Sequence, residues 1–395
     1  MNFKIFTEYK FVHAEIKMWG KIMKKNGLLF ILITMFLVFS LPVNSQSQSD
    51  TLAALKTSDR VHIFYYPWYG NPEIDGHYYH WNHRKEGRRH MGEHYPGGDD
   101  IGSSFYPSLG CYSSNDPEII KAHMQQIKEA GAGVIVLSWW GPNGFEDKAV
   151  PLLMDIADEY GLKVSFIIEP YDNTIENIKR SIVYILKNYS SHNAFFREKR
   201  KENLPVFYVF TAGDIESQEW KKLLSVDGEL SIRDTRIDAL VLGQWYDPKD
   251  YYGEVISGGF DGFFTYTPVE GLFFMNSIGN WKSMQNFAAK HDLIFSPSVG
   301  PGFSDIRIRD WNGGSFRDRQ NGAFYDRLFK AAIEADPFYI TITSFNEWPE
   351  GTQIEPAVPK SIPGFTYKDY SPLDPEYYIR RTRYWVDKYM KETGE

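Results

Sequence analysis

From Val61 onward the chain repeats one alternation, a short continuous apolar run followed by a longer stretch of helical periodicity. The apolar runs are Val61–Tyr66, Gly133–Trp139, Lys163–Glu169, Pro205–Phe210, Ala239–Trp245, Gly262–Thr267, Leu293–Val299 and Tyr339–Phe345. Each is rich in β-branched and aromatic residues, as expected of strands buried on both faces of a parallel sheet. The clearest helix lies between Asp116 and Gly131. Asp116 is placed to cap it, Pro117 suits its first turn and Gly131 ends it. The other helical stretches are Asp147–Tyr160, Thr174–Tyr189, Ser217–Leu224, Trp281–Lys290, Asn321–Ala335 and Glu376–Lys391, with a weak pattern near Pro248–Ile256. Eight strands, each followed by a helix, predict an α/β fold, a single (β/α)8 TIM barrel with long βα loops. A doubly wound sheet is the alternative, but no Gly-rich phosphate turn follows the first strand. There is no internal linker and no repeat, so residues 46–395 are expected to form one domain.

The first 45 residues read differently. Leu28–Leu41 is a run of 14 uncharged, mostly apolar residues, preceded by Lys21, Lys24 and Lys25 and followed by Val43-Asn44-Ser45. A basic segment, an apolar core and a small residue at the end make a secretory signal peptide. The other reading is an uncleaved membrane anchor, although a spanning helix wants about 20 apolar residues. Met18 and Met23 are alternative starts. Either reading predicts export: periplasmic, secreted or cell-surface, or lumenal if anchored. Any membrane attachment is expected through this segment alone.

Composition narrows the function. With 43 Lys+Arg against 51 Asp+Glu the net charge is −8, which argues against nucleic acid as the main partner. The single cysteine, Cys111, cannot build a disulfide framework or a Cys-rich zinc site. Aromatic residues make up 16% of the chain, and Trp and Tyr serve both as core and as platforms for apolar ring faces.

In a (β/α)8 barrel the chemistry is built at the C-terminal ends of the strands. Here those ends carry Tyr65–Tyr69, Ser138-Trp139-Trp140, Glu169-Pro170-Tyr171, Tyr208 and Thr211, Gln244-Trp245-Tyr246, Tyr266-Thr267, and the run Asn346-Glu347-Trp348-Pro349-Glu350. The loop after the seventh strand adds Arg307, Arg309 and Trp311. Carboxylates, amides and aromatic walls suit glycoside cleavage, in which one carboxyl protonates the leaving oxygen and another acts as base or nucleophile. Glu347 and Glu350 follow the last strand directly. Pro349 turns Trp348 away from helical conformation, so both carboxyls sit on a turn that can aim them at one site.

Structural readings stand beside these. The Tyr65–Tyr69 run also suits core and rim packing, and Glu169 also suits a buried ion pair with Arg309. The long excursion from Gly70 to Ser114 carries His77, His80, His83, His90 and His94, which follow no standard zinc spacing. A metal-dependent hydrolase built on that loop is one rival. A non-catalytic glycan-binding barrel is another, and the presence of both Glu347 and Glu350 argues against it.

Five segments together carry a family resemblance. They are residues 61–71 (Val-His-Ile-Phe-Tyr-Tyr-Pro-Trp-Tyr-Gly-Asn), 80–83 (His-Trp-Asn-His), 99–107, 136–140 (Val-Leu-Ser-Trp-Trp) and 343–355 (Thr-Ser-Phe-Asn-Glu-Trp-Pro-Glu-Gly-Thr-Gln-Ile-Glu). In this order they resemble glycoside hydrolase family 99, the endo-α-1,2-mannosidases and endo-α-1,2-mannanases, over about Val61 to Lys360. The resemblance implies a (β/α)8 barrel, no metal or other cofactor, retention of configuration, and α-mannan or mannose-rich oligosaccharides as substrate. It implies Glu347 as the base toward the 2-hydroxyl of the cleaved sugar and Glu350 as acid and then base, through a 1,2-anhydro sugar. It also implies substrate-binding roles for Trp140, Tyr266 and Arg309. Tyr66, Glu169 and Asn346 join them by strand-end placement. Trp140 stands where the family has Trp in bacterial enzymes that take mannose at the −2 position and Tyr in Golgi enzymes that take glucose there. Pro349 departs from the animal enzymes, which carry His. A Golgi-type enzyme trimming glucosylated glycans is the alternative within the family.

Overall fold

A computed structural model describes residue 52 and residues 54–395, apart from 87–90, 170–173 and 247, and without the side chains of 86, 91 and 248–252. The signal or anchor segment, His90, Pro170 and Tyr171 therefore lie outside the described residues. Leu55–Glu395 is one compact unit.

The barrel strands are β1 (Ser58–Tyr65), β2 (Ala132–Trp139), β3 (Lys163–Ile168), β4 (Leu204–Val209), β5 (Leu240–Gln244), β6 (Gly262–Phe264), β7 (Ile294–Ser296 continued by Ser298–Val299) and β8 (Ile340–Ile342). The helices are α1 (Pro117–Ala130), α2 (Phe145–Glu159), α3 (Ile175–Tyr189), α4 (Ser217–Leu224), α5 (Pro248–Gly258), α6 (Trp281–Lys290), α7 (Ala323–Ala335) and α8 (Tyr377–Thr393). Strand and helix alternate through the whole unit, and every barrel pairing is parallel. The predicted eightfold alternation is thus the observed one.

The ring closes through a broken strand. The first half of β7 pairs with β6 and the second half with β8. Pro297 separates the halves. Proline has no N–H for the ladder, so a break in pairing there is expected. Its carbonyl is still used, accepting from Thr341 N at 3.0 Å.

Five of the eight strands are shorter than the apolar runs that announced them, and in β3, β6 and β8 the last residues of the run leave the ladder to form the site. Thr265 to Thr267 beyond β6 and Thr343 to Phe345 beyond β8 are examples. The α2 helix begins at Phe145 rather than Asp147. Asp147 lies in its first turn, where it accepts from Trp139 Nε1 (2.9 Å), Tyr184 (2.7 Å), Tyr189 (2.7 Å) and the N–H of Asn143 (2.8 Å). Asp116 caps α1 through Glu118 N at 2.9 Å, and Gly131 closes it with φ +88°.

The barrel interior is filled by rings. Phe64, Tyr208 and Phe264 pack with centroids 5.1 to 5.7 Å apart. Each fully buried side chain of this size contributes roughly 1.5–3 kcal/mol. Below them His62 is buried, its Nδ1 accepting from Tyr208 (2.8 Å) and its Nε2 donating to the carbonyl of Asp59 (3.1 Å). Burial pushes its pKa down to about 3, so it is a neutral core residue.

Gly262 shows how closely the strands approach. A Cβ there would lie 2.2 Å from the carbonyl oxygen of Ile294, its partner across β6 and β7. Gly262→Ala should therefore lower stability by about 1–3 kcal/mol. Urea denaturation with an unchanged midpoint would show that the sheet absorbs the methyl group.

Candidate active site

The site is assembled where β8 leaves the barrel. Phe345 N donates to Phe64 O at 2.9 Å and extends the hydrogen bonding between β1 and β8 past the end of β8. Asn346 then takes over with its side chain. Its Oδ1 accepts from Tyr66 N (2.8 Å) and its Nδ2 donates to Tyr66 O (3.1 Å), so the amide replaces a backbone partner for the end of β1. The side chain of Asn346 is thus committed to holding Tyr66. The residues after it form the expected turn. Glu347 N donates to Ser344 Oγ (2.8 Å), and Glu350 N donates to Glu347 Oε2 (2.6 Å). The side chain of Glu347 therefore closes the turn that carries Glu350.

Both carboxyls are removed from water. Glu347 is 4% exposed, and the side chain of Glu350 is 22% exposed at the mouth of the cleft. Burial, and next the charge of Glu350, hold the Glu347 carboxyl well above the usual range. Burial also raises Glu350, to about 7; Arg309 opposes this and Asp305 adds to it. Arg309 Nη1 lies 3.5 Å from Glu350 Oε1 and 3.4 Å from Asp305 Oδ2. Asp305 is buried and accepts from Asn312 Nδ2 (2.8 Å).

Glu169, just past β3, is the third buried carboxyl. Ser138 Oγ donates to it at 2.8 Å, and burial raises it to about 8 with a contribution from the charge of Glu350. The same Ser138 Oγ accepts from Trp140 Nε1 at 3.1 Å, which leaves the Trp140 ring 41% exposed. Trp68 continues this wall. It lies 4.6 Å from Tyr66, 6.4 Å from Trp140 and stacks on His80 at 3.9 Å. Tyr266 adjoins Tyr66, the two hydroxyls meeting. Tyr266 has φ +53°, uncommon for a bulky residue. Two hydrogen bonds hold it there, from its N–H to Ser298 Oγ (2.7 Å) and from Thr343 Oγ1 to its carbonyl (2.7 Å).

Tyr66, Trp140, Glu169, Tyr266, Arg309, Glu347 and Glu350 thus lie at one end of the barrel, with Asn346 behind them. Sequence reasoning passed over Ser138 as a contact, Trp68 as part of the wall, and Asp305. The i, i+4 spacing of Asp305 and Arg309 is the one signal that pointed to the last. The histidine loop has other work. His94 bonds Asp100 Oδ1 (2.9 Å) and the carbonyl of Arg307 (2.9 Å), tying the first βα loop to the seventh. Among the described residues no three His, Cys, Asp or Glu side chains converge as metal ligands. A cavity of about 300 Å³ lined by Phe105, Arg319, Gly351, Lys368 and Tyr370 contains neither Glu347 nor Glu350.

The family model described as "Glycosyl hydrolase family 99" matches residues 56–391. The chain belongs to glycosyl hydrolase family 99. Within this family it is 43% identical over 348 residues to the rat "Glycoprotein endo-alpha-1,2-mannosidase", covering 84% of this chain and 75% of the relative. It is 40% identical over 356 residues to the human "Glycoprotein endo-alpha-1,2-mannosidase-like protein", covering 86% and 78%. The solved structure of a family 99 endo-α-mannosidase from Bacteroides thetaiotaomicron superposes with a TM-score of 0.83 at 43% identity, over 86% of this chain and all (100%) of that one. The protein is a glycoside hydrolase, of a family that includes endo-α-1,2-mannosidases.

The raised Glu169 links this site to folding. The native state keeps its proton up to about pH 8, whereas the unfolded chain releases it near 4.5. The native state thus binds more protons across that window, and stability falls as pH rises through it. Glu169→Gln removes this loss. The melting temperature of the variant relative to the parent should be higher at pH 9 than at pH 5. An equal difference at both pH values would contradict the assigned shift.

Proposed function

We propose that this family 99 enzyme is an endo-acting, retaining α-mannosidase that cleaves internal α-1,2-mannosidic bonds in mannan or high-mannose glycans. The observation that carries the proposal is the pairing of Glu347 and Glu350 on one buried turn, in a chain 43% identical to a relative named as an endo-α-1,2-mannosidase. Burial pushes both carboxyls toward the protonated form, so the pair favours one charge and one proton near neutral pH. That is the state a base and an acid acting together require. The N–H of Glu350 on Glu347 Oε2 favours a charge on Glu347, whereas Arg309 beside Glu350 favours a charge there; the proposed reaction starts from the first arrangement.

In the proposed reaction Glu347 removes the proton from the 2-hydroxyl of the sugar being cleaved. O2 attacks C1 as the C1–O bond to the leaving sugar breaks, and Glu350 gives its proton to that oxygen. The product at this stage is a 1,2-anhydro sugar. Water then adds to C1 with Glu350 as base, the C1–O2 bond breaks, and Glu347 returns the proton to O2. Two displacements at C1 give retention. In an α-mannoside O2 and the leaving group are trans-diaxial, so the internal nucleophile is aligned, and such alignment is worth an effective molarity of about 10⁵–10⁸ M. Tyr66, Tyr266, Glu169 and Arg309 are proposed to bind the substrate around this centre, with Asn346 holding Tyr66.

The Trp140 ring face supports a mannose at the −2 position and a bacterial-type mannan substrate. The animal relatives keep the trimming of glucosylated glycans as the second reading. Export through the N-terminal segment is part of the same proposal; among the described residues no helix is long and apolar enough to cross a membrane.

Digestion of yeast mannan should release a reducing disaccharide rather than mannose, read by chromatography. Glu350→Gln and Glu347→Gln should each lose activity on an α-1,2-linked oligosaccharide by at least about 10³-fold, within the scale of about 10²–10⁴ for one general acid–base group. Turnover by either variant at the parent rate refutes the assignment. So does azide rescue of Glu347→Gln to an inverted glycosyl azide, which would mean direct attack at C1.

For specificity, a Man-α-1,3-Man donor should be cleaved faster than the Glc-α-1,3-Man donor, and Trp140→Tyr should narrow the ratio. A parent enzyme that prefers the glucosylated donor would favour the trimming role.

A further inference from the structure

Behind the catalytic turn lies a polar network that the chemistry above does not use. We propose that Glu355 is a positioning residue, a fully buried carboxyl group that fixes the indole of Trp348, the residue that follows Glu347 in the turn leading to Glu350. The inference rests on the assignment of chemistry to those two carboxyls.

The geometry is closed on itself. Glu355 Oε2 accepts from Trp348 Nε1 (2.8 Å) and from the hydroxyl of Tyr112 (2.8 Å). Its Oε1 lies 3.2 Å from His123 Nε2, and the other ring nitrogen of His123 lies 2.8 Å from the hydroxyl of Tyr65. An indole N–H can only donate, so Oε2 is an acceptor. With the ring hydrogen of His123 on Nε2 and the hydroxyl of Tyr65 donating to Nδ1, each of these polar atoms is satisfied. Glu355, His123 and Trp348 are each 0% exposed.

The network reaches the turn at more than one atom. The Tyr112 hydroxyl also receives Asn346 Nδ2 (3.4 Å) and a second, longer contact from Trp348 Nε1 (3.2 Å). On the backbone side, the hydroxyl of Tyr69 donates to the carbonyl of Asn346 (2.9 Å) and accepts from Trp348 N (3.2 Å). Trp348 is therefore held at its backbone by Tyr69 and at its ring by Glu355. Pro349 restricts the backbone of Trp348, and because Trp348 joins Glu347 to the rest of the turn, a shift of this residue would re-aim Glu350 against Glu347.

A carboxyl in this position is costly as filler. Burying it without full hydrogen bonding destabilises a fold, and well-packed apolar residues would serve a core as well or better. What Glu355 supplies and an apolar residue does not is an acceptor for the Trp348 N–H. Glu355→Gln keeps the volume but turns one acceptor oxygen into an NH2 facing a donor, which breaks the network at constant shape.

The test compares Glu355→Gln, Trp348→Phe and the double variant on an α-1,2-linked manno-oligosaccharide. A turn displaced by about 1 Å costs on the order of 10²-fold in rate. The expected result is kcat lowered about 100-fold for Glu355→Gln with KM within about threefold of the parent. Trp348→Phe should lose a similar factor, and the double variant no more than either, because both break the same contact. A folded Glu355→Gln with parental kcat overturns the proposal, as do single losses that multiply in the double variant. If Glu355→Gln fails to fold, Tyr112→Phe carries the test, since it removes one hydroxyl donor without changing charge. A kcat about 10-fold lower at unchanged KM supports the proposal, and an unchanged kcat overturns it. Glu350→Gln is assayed alongside. If it is inactive while Glu355→Gln is normal, only the positioning role falls; if it is active, the carboxyl assignment falls and the positioning role with it.

Discussion

The pairing of β1 with β8 is the constraint on which the site depends. The two strands are the first and the last of the ring, and their hydrogen bonding extends past β8 to Phe345 before the amide of Asn346 takes over. That substitution lets the chain leave the sheet without orphaning the backbone of Tyr66. It also sets where Glu347 begins its turn. Tyr66 on one strand and Glu347 on the other are thus placed by the same hydrogen bonds, and the closure of the ring through β7 keeps β8 from shifting. On the other side of the turn, Arg319 Nη2 donates to the carbonyls of Gly351 (3.0 Å) and Gln353 (2.8 Å), its guanidinium packed among Phe105, Tyr370 and Tyr378.

Within this frame the dominant electrostatic effect is desolvation. Glu169, Glu347 and Glu350 would all be ionised in water at neutral pH. Their burial opposes that tendency, and Arg309, the cation beside Glu350, is divided between Glu350 and Asp305. A cluster of carboxyls with less than its full complement of charge can hold protons where acid chemistry needs them. The surrounding rings contribute by excluding water as much as by contact. Tyr66, Trp68 and Tyr266 are buried, whereas Trp140 stands half open at the rim.

Much of this was legible in the sequence, for identifiable reasons. The strand order was readable because buried parallel strands need continuous apolar runs, and because Asp116, Pro117 and Gly131 punctuate the first helix as capping chemistry demands. The turn at Glu347–Glu350 was readable from Pro349. Ser138 was visible as a strand-end residue, but not that one hydroxyl joins Trp140 to Glu169. The helical stretch read from Asp147 begins two residues earlier, and nothing local showed that four donors from the chain around Asp147 would converge on its carboxyl. Glu355 closed a motif, yet nothing local showed that its partners would be Tyr112 and His123, more than two hundred residues earlier.

Periodicity and residue type act over a few neighbours, so the sequence by itself determined the alternation of elements, the (β/α)8 class, the family and the residues standing at the strand ends. Which of those residues lose their water, which share a proton and which hold others in place depend on contacts between strands far apart in the chain. Glu350 with Arg309 is a relation between the loop after β8 and the loop after β7, and Glu355 with His123 one between the loop after β8 and α1. Only the closed barrel brings those groups together, and only its low-dielectric interior gives their separation the energetic weight that shifts protons and fixes the turn.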